Sequence, residues 1–215
     1  TLANHFVFVQ NKEIHSFNGT LPGGWGWTNF SGSVPDGDDT PGAILTLIKL
    51  SESNKTEYST EIENACDWLC QLQNSDGGFP TFTKGWGKLP FDRSCSDLTG
   101  HAVLAVSKAI DYLDGQIPEK KITVYRKLVR NAVRYLNAHQ KENGALLPLW
   151  FGNQQVVGHT NPVYGTARVI TYLNDAIDSG WIPGELKNNI SEIIKKGKSY
   201  LLSAQNDDGS WGGDW

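Results

Sequence analysis

The stretch Trp68-Leu69-Cys70-Gln71-Leu72-Gln73-Asn74-Ser75-Asp76-Gly77-Gly78-Phe79 decides the fold of this chain, because its spacing occurs twice more. The shared pattern is an aromatic residue, Leu, three residues, Gln, three residues and Gly, with an apolar residue two positions later. It returns at residues 135–146 and 200–211, after 67 and then 65 residues. Such periodic self-similarity is the signature of a repeat architecture. Gly23-Gly24-Trp25 looks like the tail of an earlier copy whose helix lies upstream.

Each repeat predicts two helices. The first carries the repeated pattern and mixes charged with apolar residues, as outer helices do, at about 60–73, 123–141 and 187–205. The second is rich in Ala, Val, Ile and Leu at helical spacing, at about 41–51, 97–114 and 163–178. Near the starts of the second helices, Thr40, Thr99 and Thr166 occupy equivalent positions. We therefore predict an all-α fold, an α/α toroid in which helical hairpins form an inner ring inside an outer ring.

The repeats also predict the domain organisation. Residues 1–215 are expected to form a single domain of about three repeats, in which the Gln side chains tie neighbouring outer helices together. Three hairpins are too few to close a toroid, and an open one exposes inner-helix faces that ought to be buried. The chain is therefore expected to be part of a longer protein, with an incomplete toroid.

The composition narrows the classes of function. The net charge of -4 is mild and no basic patch occurs, which argues against a nucleic-acid partner. The three cysteines form no disulfide framework and indicate a reducing, intracellular compartment. Their spacing does not match a zinc site, so neither a metal nor another cofactor is expected. Eight Trp, eight Phe and seven Tyr suit a core or an aromatic-lined cavity.

Three carboxylates crowd onto one loop, Asp36-Gly37-Asp38-Asp39. Thr40-Pro41 directly afterwards predicts a helix start with Thr40 as N-cap and Pro41 as the first helical residue. Like charges this close cannot all ionise easily, so one carboxyl is expected to keep its proton. A solvated turn and a calcium loop are the alternatives, although the EF-hand pattern does not follow.

His101 is the natural partner of this loop. It stands near the start of the next inner helix, and equivalent ends of neighbouring inner helices open onto the same mouth of a toroid. Its imidazolium is expected to stabilise one of the carboxylates. A histidine satisfied within the helix packing is the alternative. Asp97 either caps the same helix or belongs to the site, and the third copy, residues 161–166, carries no acid.

On these motifs the chain resembles squalene-hopene cyclases and their class II triterpene cyclase relatives over essentially its whole length. Residues 205–212 look like the QW motif of that family, and residues 35–40 look like its Asp-x-Asp-Asp-Thr proton-donor motif. Residues 96–101 are similar to its acid-x-Thr-x-His segment, and residues 150–152 with 164–166 resemble its Trp-Phe-Gly to Tyr-Gly-Thr stretch. The departures are Gly37, Pro41, Gln154 and a longer loop from 152 to 161.

The resemblance implies proton-initiated cyclisation of a linear isoprenoid such as squalene. Asp38 would protonate a terminal double bond, Asp36 and Asp39 would support it, and His101 would sharpen its acidity. Carbocations would be stabilised by the acid Asp97 and by four cavity aromatics, Trp27, Phe82, Trp150 and Phe151. The family also implies peripheral membrane association of the full-length protein. The sequence predicts no oligomeric state.

Other functions stay open. A class II diterpene cyclase also protonates an alkene with Asp-x-Asp-Asp, whereas a protein prenyltransferase β subunit needs a zinc triad that the sequence lacks. A non-catalytic α/α scaffold could retain the acids and bind a ligand or partner. An acid loop that faces a dry aromatic pocket would favour the cyclase, and a solvent-filled loop would favour the scaffold. The 215-residue chain alone is expected to be inactive.

Overall fold

Helices make up nearly all regular structure in the part of the chain that the computed structural model describes, which is residues 2–16, 19–30, 33–82, 92–149, 152–153 and 158–212. Within these ranges the helices are α1 (Leu2–Val9), α2 (Asp39–Asn54), α3 (Ser59–Leu72), α4 (Ser96–Leu113), α5 (Glu119–His139), α6 (Pro162–Ala176) and α7 (Gly184–Ser203). Two short strands, β1 (Phe79–Pro80) and β2 (Ser94–Cys95), pair antiparallel with Phe79 opposite Cys95. The prediction of an all-α fold is confirmed.

The helices form the inner and outer layers of an α/α toroid fragment. The inner helix α4 packs between α2 and α6 and is also covered by the outer helices α3 and α5. It is buried along nearly its whole length, because helices pack against it from both layers. The outer helix α5 instead buries a single stripe that includes Ile122, Tyr125, Val129 and Leu136. The predicted division into inner and outer helices is therefore correct.

The repeated Gln residues join neighbouring outer helices, as the sequence predicts. Nε2 of Gln73 donates to the carbonyl of Gly77 in its own turn, at 2.9 Å, and to that of Leu128 in α5, at 3.0 Å. Gln140 makes the same pair of bonds one repeat later, to its own turn and to α7. Gln10, directly after α1, does so one repeat earlier. The upstream helix of the first copy is therefore α1. The repeat pattern did not reveal this helix, because residues 11–22 separate Gln10 from Gly23, where the other copies have three residues between Gln and Gly.

Glycine at the end of the repeat lets each turn press against the next outer helix. Gly77 and Gly144 both have φ of +91°. A Cβ at these positions would lie 2.5 Å from the carbonyl oxygen of Asn131 and 2.3 Å from that of Lys196, respectively. No side chain fits there, and the backbone conformation itself favours glycine. The spacing of the repeat thus records a contact between successive outer helices.

A threonine hydroxyl then anchors the end of each repeat to an inner helix. Oγ1 of Thr99 accepts the backbone N–H of Phe79 at 3.0 Å and donates to the carbonyl of Cys95. Thr40 and Thr166 accept the equivalent N–H in their own repeats. These hydroxyls are buried, so each satisfies a backbone donor that would otherwise be costly to bury. The same residues hold the starts of the inner helices in place.

None of the described helices is both long and apolar enough to cross a bilayer.

Candidate active site

The acid loop begins α2 in a way that differs from the sequence prediction. The assignment of Thr40 as N-cap and Pro41 as first helical residue is wrong, because α2 starts at Asp39. A carboxylate oxygen of Asp36 accepts the backbone N–H groups of Asp38, at 2.9 Å, and Asp39, at 2.7 Å. Thr40 is unavailable as a cap because its hydroxyl is bonded to the backbone of Trp25. Asp36 therefore satisfies the first free amides of the helix.

Asp36 is the buried member of the cluster. Only 5% of its surface is exposed. Burial, followed by a hydrogen bond to the carboxyl of Asp39, raises the pKa of Asp36 to about 8. Asp36 thus carries a proton at neutral pH, in line with the expectation that one carboxyl of the loop stays protonated.

Asp38 has the opposite environment. Nδ1 of His101, on α4, lies 3.2 Å from Oδ1 of Asp38, and the Asp38 side chain is 47% exposed. The hydrogen bond with His101 lowers the pKa of Asp38, and the charge of Arg168 adds to this effect. The structure therefore brings His101 to the acid loop, because α2 and α4 are neighbouring inner helices. The pKa values of Asp36 and Asp38, two carboxyls separated by one residue, are therefore shifted in opposite directions.

Asp97 lies in the first turn of α4 and is 2% exposed. Burial is the main cause that raises its pKa, and the nearby Asp38 adds to the rise. The thiol of Cys95 donates a hydrogen bond to the Asp97 carboxylate, which opposes the shift. Cys95 in turn accepts the backbone N–H of Leu149 at 3.1 Å. Asp97 is therefore enclosed beside the acid loop.

These acids border a cavity of about 480 Å³. Its lining combines the four acids with apolar and small polar side chains: Trp27, Val34, Asp36, Asp38, Asp39, Thr81, Phe82, Cys95, Asp97 and Leu98. Trp27 is 84% exposed, so the cavity is open on that side. Trp27 and Phe82 thus lie at the cavity as expected, whereas Trp150 and Phe151 lie outside the described residues.

Gly37, one departure from the family pattern, has a packing reason. A Cβ at this position would lie 2.6 Å from the carbonyl oxygen of Pro80 in β1. The acid loop is therefore seated directly on the β1 backbone, where an aliphatic side chain would not fit.

Sequence reasoning missed two residues of α6 that adjoin the site. The His101 ring stacks on Tyr172, with centroids 4.6 Å apart and planes 7° from parallel. The guanidinium carbon of Arg168 lies 4.7 Å from the centroid of the Tyr172 ring. The spacing of four residues between Arg168 and Tyr172 could have indicated their own contact. No local pattern could have indicated the stack on His101.

Among the described residues, no three His, Cys, Asp or Glu side chains are grouped so as to hold a metal ion.

Comparison with known proteins places this arrangement in a family. Residues 11–215 match the family model of the squalene-hopene cyclase C-terminal domain. The chain is 31% identical over 165 residues to sporulenol synthase of Bacillus subtilis, an alignment that covers 71% of this chain and 22% of that protein. It is 28% identical over 199 residues to the squalene–hopene cyclase of Bradyrhizobium diazoefficiens, with coverage of 90% and 27%. The chain thus spans about a quarter of the length of these relatives.

Among solved structures, a possible member of the GH105 family from Salmonella enterica is similar to this chain. The TM-score is 0.64 at 12% sequence identity, over 97% of this chain and 54% of that one. At this identity the similarity shows the fold alone.

Proposed function

We propose that the acid loop starts the cyclisation of a linear isoprenoid such as squalene, because this chain belongs to the squalene-hopene cyclase C-terminal domain family. The observation that carries the proposal is the Asp38–His101 pair at the edge of a cavity that Trp27 and Phe82 also line. This combines a Brønsted acid with aromatic faces for a cation. The half-exposed Asp38 and the open side of the cavity would by themselves suit a binding scaffold, but a solvated turn would need neither the histidine nor the aromatic lining.

The opposite environments of Asp36 and Asp38 suggest a division of roles. Asp36 is buried, and burial with the hydrogen bond to Asp39 outweighs the two backbone amides that favour its anion, so it suits proton storage together with Asp39. Asp38 is half-exposed at the cavity, and His101 stabilises its anion. A proton placed on Asp38 is therefore released more readily than from an ordinary carboxylic acid. We assign proton donation to Asp38, with His101 holding the carboxylate that remains.

The chemistry then follows from the first proton transfer. The π electrons of a terminal double bond form a C–H bond with the Asp38 proton, which leaves a tertiary carbocation. Neighbouring double bonds attack in turn and form the C–C bonds of the rings, until the last cation loses a proton or takes up water. Trp27 and Phe82 offer π faces to these cations. Asp97 would stabilise the early cations, since a nearby positive charge favours its ionised form.

The relatives imply further parts of the catalytic protein. The cavity is open beside Trp27, and water there would quench a carbocation. We propose that residues beyond this chain complete the enclosure and that the 215-residue chain alone is inactive. Because the substrate is apolar, we also propose that the full-length protein works at a membrane surface in the cell interior. Co-sedimentation of that protein with phospholipid vesicles would test this.

The natural gene product that contains this chain should be incubated with detergent-dispersed squalene in D₂O, and the extract analysed by gas chromatography with mass spectrometry. We expect a polycyclic product with one deuterium from solvent at the carbon that is protonated first. Asp38→Asn should lower product formation by about 10²-fold or more, the usual range for a general acid. Asp111→Asn is the matched control, since Asp111 lies near the other end of α4, about 15 Å along the helix from His101.

The outcomes separate the candidate functions. A cyclic product without deuterium, or one formed equally by Asp38→Asn, would refute the role of the acid loop. Product from geranylgeranyl diphosphate and none from squalene would identify a class II diterpene cyclase. No product from either substrate would leave a non-catalytic binding scaffold.

A further inference from the structure

We propose that Tyr172 is a positioning residue for His101, whose ring it holds in the plane from which Nδ1 reaches Asp38. The inference rests on the proposed role of Asp38 and His101, and it adds a third inner helix to the site. Asp38 precedes α2, His101 is on α4 and Tyr172 is on α6. The contacts therefore run across three successive inner helices.

The geometry of the stack supports an orienting role. The two ring planes are only 7° from parallel, with a centroid distance of 4.6 Å. A single hydrogen bond of 3.2 Å to a half-exposed carboxylate leaves an imidazole free to tilt and pivot. Contact across a whole ring face restricts this motion, and aromatic pairs at such distances attract one another. Tyr172 thus limits the orientations of His101 to those that keep Nδ1 near Asp38.

The stack is an enclosed contact. His101 is 8% exposed and Tyr172 is 9% exposed. Gly100, beside His101, lets α6 approach closely, because a Cβ there would lie 3.4 Å from Cδ2 of Tyr172 and 3.3 Å from the Cα of Val169. The backbone of α4 and the Tyr172 ring are thus held at van der Waals distance. This leaves the imidazole little room to move away from Tyr172.

Arg168 completes the arrangement from one turn earlier on α6. Its guanidinium carbon lies 4.7 Å from the centroid of the Tyr172 ring, within the range of a cation–π interaction. Burial raises the pKa of Tyr172 to about 12, so the ring stays neutral near physiological pH. The carboxylate of Asp38 also interacts electrostatically with Asp97 on α4 and with Tyr164 and Tyr172 on α6. The hydrogen bond with His101 lowers the pKa of Asp38 most, and the charge of Arg168 adds to this effect.

The test is the ionisation of Asp38 in the natural gene product that contains this chain, followed by ¹³C NMR of aspartate-labelled protein and assigned with Asp38→Asn. In the wild type we expect a pKa below the ordinary aspartate value. Tyr172→Phe keeps the ring face and should leave this pKa unchanged. Tyr172→Leu removes the face and should raise it by about half a pH unit, a threefold change in the ionisation constant.

A double mutant distinguishes positioning from general packing. In a His101→Ala background, Tyr172→Leu should raise the pKa of Asp38 much less, because the histidine through which Tyr172 acts is gone and only the contact of Tyr172 with Arg168 remains. An equal rise in both backgrounds, or no rise in either, would overturn the proposal. Thermal unfolding checks that each variant folds, and Tyr172→Met, a flexible side chain, replaces Tyr172→Leu if that variant does not. Since no substrate is present, this result stands or falls separately from turnover.

Discussion

Replacing the buried acid Asp36 by Asn should make the protein more stable at neutral and mildly alkaline pH. Asn keeps the oxygen that accepts the amides of Asp38 and Asp39, and its NH₂ group can donate to Asp39 as a protonated Asp36 does. What Asn lacks is the ability to ionise. Asp36→Asn thus isolates the cost of placing a negative charge at this buried position.

The magnitude follows from the pKa. In the unfolded chain Asp36 ionises near its ordinary value of 3.8, whereas in the folded protein it keeps its proton up to about pH 8. Between these values the unfolded state binds fewer protons, so the free energy of unfolding falls as the pH rises. At about 1.4 kcal/mol per pH unit, this amounts to at most about 6 kcal/mol across the whole window. Asp36→Asn should therefore match the wild type near pH 4 and exceed it most at pH 8.

Urea unfolding followed by far-UV circular dichroism at pH 5, 6, 7 and 8 gives the free energies. Asp38→Asn is the contrasting variant, because His101 lowers the pKa of Asp38. The stability contributed by Asp38 is present above its ordinary pKa and is lost as the pH falls through its folded value, so this variant should lose stability at neutral pH. A wild-type stability that falls no more steeply with pH than that of Asp36→Asn would refute the reasoning.

Three further predictions concern the repeat and are measured by chemical denaturation. Gln73→Ala should lower the free energy of unfolding by about 1–3 kcal/mol, because two bonded carbonyls lose their donor. Gln205→Ala should lower it by less than about 1 kcal/mol, because Gln205 is exposed and bonded to its own turn. Equal losses would contradict a role for Gln73 between outer helices. Gly77→Ala should lower the free energy of unfolding by about 3 kcal/mol or more, because the new Cβ clashes with α5. In the matched control Gly115→Ala, where φ is +74° and the space is open, the loss should be about 1–2 kcal/mol. An equally large loss for Gly115→Ala would mean that backbone strain alone accounts for both. Thr99→Val should cost about 1–3 kcal/mol, because the buried amide that it accepts is left unpaired, and an unchanged stability would refute this.

The helices could be predicted because their signals are local. Apolar periodicity and the recurring Gln and Gly placed six helices to within about four residues of their observed ends. The predicted start of α2 was wrong because the capping side chain is that of Asp36, three residues before the helix. The contact of Gln10 with Glu61 in α3 was missed because an insertion hides the copy. In both cases a side chain makes a hydrogen bond that the repeated pattern does not encode.

By itself the sequence determined the repeat, the layering of the helices and the presence of an acid loop near His101. These follow from spacing, because equivalent positions of successive hairpins must lie side by side in a toroid. Only the tertiary structure decided which carboxyl keeps a proton, since burial of Asp36 and the contact of Asp38 with His101 depend on neighbours from other helices. It alone also placed Tyr172 on His101, because residues 71 positions apart meet only when α6 packs on α4.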